Sequence, residues 1–208
     1  QSGDATTTSG NNVGVGYAAL TTNILSSKNV AVGNNALKTH NLASAGEAFN
    51  VAVGHGAGEE ITTGLGNVLI GGLAGDALTG AGSNVAVGKF ALSTDTLGSK
   101  SVAIGTSALL TQNFTTATET YNVAVGHNAG ALITTGVENT IMGGLAGDAL
   151  TDADRNVAIG NLSLTADTLG SRTVAIGRGS LQFQNFTSAT DSYNTAVGYD
   201  SGNQVTTG

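Results

Sequence analysis

Two histidines, His55 and His127, come nearest to a metal or catalytic site by type and spacing. They occupy the same place in two successive copies of an internal repeat, and Tyr199 occupies that place in the next copy. In a stack of β-strand rungs about 4.8 Å apart, with four rungs per copy, the two imidazoles are about 19 Å apart. One chain therefore cannot bring both to a single metal ion, although three copies of His55 could converge on a three-fold axis.

The glycine-rich segments do not match known ligand loops. Residues 71–76, repeated at 143–148, lack the nonapeptide spacing of calcium-binding β-rolls. One Asp per four rungs is also too few for the ~6–8 oxygen ligands that calcium takes. Gly14-Val15-Gly16 is not followed by the helix that a dinucleotide loop requires. No Ser-His-acid set or convergent carboxylate pair can be placed, so we expect no catalytic residue, no metal, no cofactor and no enzymatic activity.

Composition and charge exclude further classes of function. The net charge is −7, and the seven Lys and Arg residues are scattered along 208 residues. Nucleic-acid binding needs clustered cations that release counterions, so nucleic acid is not an expected partner. No apolar run approaches the ~20 residues of a membrane span, so we expect no membrane insertion. Cysteine is absent, which suits a surface-exposed structural protein.

The elements that position every side chain come from one phrase, Asn84-Val85-Ala86-Val87-Gly88, which occurs eleven times with small variations. Four phrases make one copy of a longer repeat; we call 54–125 the first full copy and 126–197 the second full copy. Such a period is typical of a solenoid, in which each repeat covers the apolar face of the one before.

We predict an all-β parallel β-solenoid, or β-roll, of about eleven rungs over 1–208. Its rungs are of two lengths: 17-residue rungs, as from Gly71 to Gly88, and 21-residue rungs, as from Gly33 to Gly54. Neither end has a polar capping repeat, so we expect a segment of a longer fibre.

Alternation within each phrase predicts a strand with two faces. We assign the β-branched pairs to the core, as stacked columns. The pairs are Val30/Val32, Val51/Val53, Val85/Val87, Val102/Ile104, Val123/Val125, Val157/Ile159 and Val174/Ile176.

The residue between the two members of each pair is predicted to face outward. A strand in water would carry Thr, Lys or Glu there, so a column of alanines indicates a close interface with another chain. The alternative is a small residue tolerated on a lightly packed surface. The alanines are Ala31, Ala52, Ala86, Ala103, Ala124, Ala158, Ala175 and Ala196.

Other positions of the rung have predicted roles. Asn opens most phrases, and stacked Asn side chains can form a hydrogen-bonded ladder. Gly closes each phrase at a sharp turn with positive φ. A short second strand should follow and bring Leu into the core, as at Ala91-Leu92.

The 21-residue rungs add a bulge at one corner every fourth rung. They carry most of the aromatics, and Phe114, Tyr121, Phe186 and Tyr193 are the candidates for surface recognition. The alternative is a loop that is anchored by its own rings or packed against a neighbouring chain.

The phrases Asn-Val-Ala-Val-Gly and Ser101-Val102-Ala103-Ile104-Gly105 resemble the head repeats of trimeric autotransporter adhesins, the YadA-like heads. They are also similar to glycine-rich repeats of phage tail-fibre proteins, where Thr-Thr-Gly turns recur. The adhesin resemblance implies a left-handed parallel β-roll with three chains around a common axis, and binding to host surfaces. The rungs of this chain are longer than the family's coil.

We therefore expect an extracellular fibre segment, on a virion tail fibre or a cell surface. It would be a homo-oligomer, most simply a trimer, and a rigid rod that attaches to a host surface or glycan receptor. One alternative is a subunit of a self-polymerising extracellular filament, joined end to end. An ice-binding solenoid is a weaker alternative, because Thr clusters in turns rather than in a flat array.

Overall fold

Short parallel strands recur throughout the described chain. The computed structural model describes residues 10–208, and these contain no helix. The chain is an all-β parallel solenoid, as its period predicts. Its strands are β1 (Val13–Val15), β2 (Ser26–Ser27), β3 (Val30–Val32), β4 (Gly46–Glu47), β5 (Val51–Val53), β6 (Val68–Ile70), β7 (Val85–Val87), β8 (Gly98–Ser99), β9 (Val102–Ile104), β10 (Thr118–Glu119), β11 (Val123–Val125), β12 (Thr140–Met142), β13 (Val157–Ile159), β14 (Gly170–Ser171), β15 (Val174–Ile176), β16 (Thr190–Asp191) and β17 (Thr195–Val197).

Eleven of these strands, one from each rung, form a single sheet in the order β1-β3-β5-β6-β7-β9-β11-β12-β13-β15-β17. The pairing is in register, so that Val85 lies opposite Val102 and Ala86 opposite Ala103. Each position of the repeated phrase therefore forms a column along the rod. With strands about 4.8 Å apart, the sheet is about 48 Å long.

The 21-residue rungs project beyond the shorter ones. Their extra residues return through a second ladder, in which β4 pairs with β2, β10 with β8 and β16 with β14. We call these three projections the ledges, at residues 41–49, 113–121 and 185–193. The predicted bulge at every fourth rung is confirmed.

The two faces of the main sheet are the reverse of the sequence prediction. The alanine column points into the rod: seven of the eight predicted interface alanines are 0 % exposed and Ala196 is 7 % exposed. The predicted core pairs instead lie on the outer face, half-buried or exposed, and none belongs to the buried core. Both assignments were wrong for the same reason: the interior of the rod is too thin to hold large side chains from this sheet as well as from the opposite wall. The misassigned pairs are Val30/Val32, Val51/Val53, Val85/Val87, Val102/Ile104, Val123/Val125, Val157/Ile159 and Val174/Ile176.

The interior is too thin for large side chains from both walls. Opposite the alanine column, Leu20, Leu37, Leu92, Leu109 and Leu164 enter the core, each at most 1 % exposed. Only a methyl group fits facing them, because protein interiors pack at near-crystalline density.

Leu69 and Ile141, which replace alanine in the inner column, support this account. A Cβ on either Gly58 or Gly75 would lie 2.8 Å from a Leu69 methyl carbon. The inner-column leucine thus occupies the space that leucines fill in other rungs. Ile141 lies between Gly130 and Gly147 in the same way, since Cβ atoms on these glycines would lie 3.2 Å and 3.1 Å from its Cδ1.

Side-chain volume is also exchanged between two positions that lie three residues apart in the chain, on the wall opposite the main sheet. Where the first is Gly, the second is apolar, and where the first is Leu, the second is a buried polar residue. All eleven rungs follow this rule. The Gly rungs have Gly58/Ile61, Gly75/Leu78, Gly130/Ile133, Gly147/Leu150 and Gly202/Val205, and the Leu rungs have Leu20/Asn23, Leu37/His40, Leu92/Asp95, Leu109/Gln112, Leu164/Asp167 and Leu181/Gln184.

The segment that carries these leucines is not the predicted second strand. Two residues in each turn adopt left-handed backbone angles, as at Phe90 (φ 60°) and Leu92 (φ 53°). The chain there forms turns, yet it still bonds to the next rung, since Leu92 N–H donates to Ala108 O at 3.0 Å. The prediction that Leu enters the core from this side is confirmed.

The glycine that closes each phrase is required by both backbone angle and space. Gly88 has a φ of 139°, which L side chains rarely adopt. A Cβ at this position would lie 2.5 Å from the carbonyl oxygen of Gly105 in the next rung. The predicted sharp turn with positive φ is confirmed.

The predicted asparagine ladder is also present, and it is buried. Asn67 Oδ1 accepts the backbone N–H of Asn84 at 3.0 Å, and Asn84 Oδ1 accepts that of Ser101 at 2.8 Å. The side-chain amide of Asn84 donates to Gly98 O at 2.9 Å, so it also ties the turn to the strand. Because buried polar groups are costly unless bonded, this column fixes the register of successive rungs.

Candidate functional site

The outer face of the main sheet is the most extended candidate site on the described part of the rod. Each strand contributes two outward residues, and these form two parallel columns about 7 Å apart. The columns consist of Val, Ile and Met, with Thr140 and Thr195 as the other members, and no charged side chain stands among them in the described strands. Ile104 is 38 % exposed and Met142 42 % exposed. We call these two columns the outer apolar face.

A second feature repeats on the ledges. Lys100 Nζ lies 2.5 Å from Glu119 Oε1 and 5.1 Å from the ring centre of Tyr121. The Tyr121 hydroxyl donates to Glu119 Oε2 at 2.5 Å. Bonding to Lys100 and Tyr121 lowers the pKa of the Glu119 carboxyl, and Glu119 raises the pKa of Lys100. Cation, ring and carboxylate thus form one compact group on the surface.

The same group occurs at the other two ledges, one copy away in each direction. Lys28 contacts Glu47 at 2.6 Å and lies 5.1 Å from the Phe49 ring. Arg172 pairs with Asp191 and stacks over Tyr193 at 5.9 Å. The charges in each group are mutually neutralised, so the ledges present rings rather than net charge.

The four aromatic candidates for recognition divide into two kinds. Tyr121 and Tyr193 are 49 % and 69 % exposed, as a recognition role requires. Phe186 is half-buried. Phe114 is only 7 % exposed, so its assignment to surface recognition was wrong. Its burial agrees with the alternative of a loop anchored by its own rings.

A recess opens beneath the middle ledge. Its volume is about 480 Å³, and its wall is formed by the turns of the three 17-residue rungs before the ledge and by residues of the ledge itself. Leu65 provides an exposed apolar surface there, Gly80 and Gly82 leave the backbone uncovered, and Lys100 with Glu119 stands at the rim.

The sequence prediction missed this recess. The signal was present in the repeat: the places of Gly80, Gly82 and Ser83 are taken one copy later by Asp152, Asp154 and Arg155. These are among the largest chemical changes between two otherwise similar copies.

Two buried polar clusters lie behind the ledges. Asp95 Oδ1 accepts the backbone N–H groups of Gly98 and Phe114, both at 3.0 Å. Asp95 Oδ2 accepts from Gln112 Nε2 at 2.6 Å, and Gln112 Oε1 accepts from Asn122 at 2.9 Å. In the second full copy, Asp167 and Gln184 repeat the arrangement. Because these bonds join each turn to the ledge of the following rung, the clusters hold the ledges in place.

One copy earlier in the chain, Asn23 and His40 occupy the places of Asp95 and Gln112. His40 is fully buried, and burial lowers the pKa of its imidazole to about 4. Its Nε2 lies 3.5 Å from Asn50 Nδ2, whereas its Nδ1 has no hydrogen-bond partner in the described chain.

The two histidines at equivalent repeat positions lie apart, as their spacing predicts. His55 and His127 are both exposed and stand four rungs from each other. Within residues 10–208, no three His, Cys, Asp or Glu side chains come together as a metal-binding group. No helix among the described residues is long and apolar enough to cross a membrane.

The candidate site thus consists of the outer apolar face, the three ledges and the recess beneath the middle ledge. Comparison with known proteins adds no relative to this description: no family model, curated protein or solved structure matches the chain.

Proposed function

We propose that this chain is a structural and adhesive segment of an extracellular fibre, in which copies pack side by side through the outer apolar face. The fibre would belong to a virion tail or a cell surface, as the resemblance of its repeats implies. The observation that carries the proposal is the uncharged outer apolar face, which continues through all eleven strands of the sheet.

The size of this face supports an assembly of copies. Its two columns cover about 48 Å by about 10 Å, or roughly 500 Å², at the spacing of parallel strands. The largest apolar patch on a typical monomeric protein is ~300–600 Å² and is often functional, so a continuous face of this size is typical of an interaction site. Because the columns run parallel to the rod, two copies can contact each other along their full length.

Chain-to-chain contact through valine and isoleucine replaces the contact that the sequence analysis assigned to alanine. The notion of a homo-oligomer, most simply a trimer, is retained, and only the participating residues change. Three copies would bury their apolar faces around one axis and leave the ledges exposed to a host surface.

Rigidity fits a fibre role. Backbone N–H groups of strands and turns bond to neighbouring rungs along the rod, as where Gly88 donates to Ile70 O of the preceding rung at 2.8 Å. Two or more such rods side by side would resist bending better than one. The exposed Tyr121 and Tyr193 would offer repeated contact points along the assembled rod.

The mass of the purified chain in solution tests the proposal. We expect light scattering after size exclusion to give three times the 20.4 kDa of one chain. Ile104→Glu places a charge in the outer apolar face and should dissociate the assembly, whereas Thr116→Glu, at an exposed position of the middle ledge, should not.

A monomeric wild-type chain, or an Ile104→Glu variant with unchanged mass, would refute side-by-side packing through this face. A broad distribution that grows with concentration would instead favour the self-polymerising filament.

A further inference from the structure

The recess beneath the middle ledge has the size of a small-molecule site. Its residues Thr63, Leu65, Gly80, Gly82, Ser83 and Lys100 come from three successive rungs and leave a volume of about 480 Å³. Small-molecule sites usually have volumes of ~300–1,000 Å³. The recess is thus large enough for a ligand, and the next copy of the repeat shows which contacts it offers.

In the second full copy, two carboxylates occupy the equivalent place. Thr135 Oγ1 donates a hydrogen bond to Asp152 Oδ1 at 2.6 Å. The backbone N–H of Val137 donates to Asp154 Oδ1 at 2.8 Å. Arg155 pairs with Glu138 at 2.7 Å, and this adds a positive charge beside the two carboxylates. In this copy, the two aspartates thus accept the hydrogen bonds of the Thr135 hydroxyl and the Val137 amide.

The first full copy keeps both donors and lacks both acceptors. Thr63 and Leu65 stand where Thr135 and Val137 stand, but Gly80 and Gly82 replace the two aspartates. Within the described chain, neither the Thr63 hydroxyl nor the Leu65 N–H has a hydrogen-bond partner. A Cβ at Gly80 would lie 3.5 Å from Thr63 Oγ1. One at Gly82 would lie 3.4 Å from Leu65 N and only 2.7 Å from Leu65 O, so the backbone must shift slightly to accept a side chain there. Side chains at these two positions would therefore approach the two donors.

We propose that the recess binds a neutral saccharide, whose hydroxyl oxygens take the places of the two missing carboxylates. The hydroxyls of Thr63 and Ser83 and the Leu65 N–H face polar ligand atoms, while the exposed Leu65 side chain offers an apolar surface to the C–H face of a sugar ring. This mixture of polar groups and apolar surface is typical of small-ligand sites.

The charge of the recess selects a neutral ligand over an acidic one. Lys100 is its one cation, and its Nζ is already bound to Glu119 at 2.5 Å and to the Tyr121 hydroxyl at 3.1 Å. The place of Arg155 is taken by Ser83, so no further positive charge offsets a ligand carboxylate. The chain as a whole carries a net charge of −7, which repels anions.

This site gives the adhesive part of the proposed function a ligand class, and to that extent it rests on that function. It does not use the outer apolar face, so the two can fail separately. The mass measurement tests packing between copies, and a binding measurement tests the recess.

Calorimetric titration of the wild-type chain with cellotriose, maltotriose and chitotriose, and with a galacturonate trisaccharide for comparison, tests the inference. We expect at least one neutral trisaccharide to bind with one site per chain. Gly80→Asp/Gly82→Asp, which copies the second full copy, should weaken that binding at least tenfold. Gly80→Asp alone serves as the milder variant, because a Cβ there has its nearest atom at 3.3 Å.

The converse variant adds a gain of function. Asp152→Gly/Asp154→Gly/Arg155→Ser converts the second full copy to the pattern of the first and should raise the stoichiometry from one site to two. Equal binding by wild type and Gly80→Asp, tighter binding of the galacturonate, or no binding of any neutral trisaccharide would overturn the proposal.

Discussion

The carboxylate of Asp95 holds the backbone N–H of Phe114, one rung further along the chain, at 3.0 Å. The same oxygen accepts from Gly98 within its own rung, at 3.0 Å. One buried side chain therefore joins a turn to the start of the ledge above it. The ledge is held by a specific bond and does not depend on its own strand alone, since β10 is only two residues long.

Asp95→Ala should destabilise the chain strongly. The change leaves the N–H groups of Gly98 and Phe114 without acceptors in a buried place. It also leaves one hydrogen of the Gln112 amide unbonded, while the other still donates to Ser101 Oγ. Each unsatisfied buried donor costs about 1–3 kcal/mol, so we expect a loss of at least about 3 kcal/mol. Urea denaturation measures the loss, and limited proteolysis should show cleavage within 113–121 first.

Asp152→Ala is the matched control for Asp95→Ala, because Asp152 is exposed and bonds only to Thr135. We expect it to change the free energy of unfolding by less than about 0.5 kcal/mol, as is usual for surface substitutions. Equal losses in the two variants would show that burial of the Asp95 cluster contributes nothing.

The exchange of volume between Gly58 and Ile61 predicts coupling. Gly58→Ala strains a left-handed backbone position (φ 59°) and places a Cβ 3.0 Å from the Ile61 Cδ1 atom. Removing that methyl group in Ile61→Val should relieve part of the crowding, although the variant alone is destabilising. In a double-mutant cycle we expect an interaction energy of about 0.5–1.5 kcal/mol in the favourable direction. An additive result would mean that the backbone strain alone accounts for the cost.

The sequence is sufficient to predict the fold class, the rung length, the closing glycines, the asparagine ladder and the ledges, because each follows from a strict period. It fails on which face of the strand points inward. Val85 and Val87 look like core residues by size, and Ala86 looks like a surface contact. The distance across the rod decides which face points inward, and the alternation of residues within one strand does not reveal that distance.

A comparison of successive rungs does give information about the distance across the rod. Leu69 breaks the alanine column in a rung where Gly75 replaces the usual leucine, and this pairing shows that the two positions compete for one interior volume. The recess was missed for a related reason. The missing side chain at Gly80 can be recognised only by comparison with the second full copy, which has Asp152 at this place.

Gly88→Ala should show how much one closing glycine contributes. Its φ of 139° is strained for any L residue, at about 1–3 kcal/mol, and the added Cβ would overlap the Gly105 carbonyl group. We expect thermal unfolding to report a loss larger than the strain alone. Gly72→Ala is the control, because a Cβ there meets no atom within 4 Å and its φ is not positive. A comparable loss at Gly72 would refute the steric argument.

The buried His40 predicts that stability falls in mild acid. The imidazole has an ordinary pKa of 6.5 in the unfolded chain and about 4 in the folded one, because burial disfavours its charged form. Between these values the unfolded chain binds more protons, so stability is complete above about pH 6.5 and is lost as the pH falls towards 4. A shift of this size corresponds to at most about 3 kcal/mol. Urea denaturation at pH 7.5 and pH 4.5 measures the difference.

His40→Gln separates this contribution from that of the chain's carboxylates. It introduces the residue that both full copies have at this place, and its amide oxygen can accept from Asn50 as Gln112 accepts from Asn122 at 2.9 Å. The variant should keep the pH dependence of the carboxylates and lose the component from His40. If wild type and His40→Gln lose equal stability between the two pH values, then the imidazole is not buried in its neutral form.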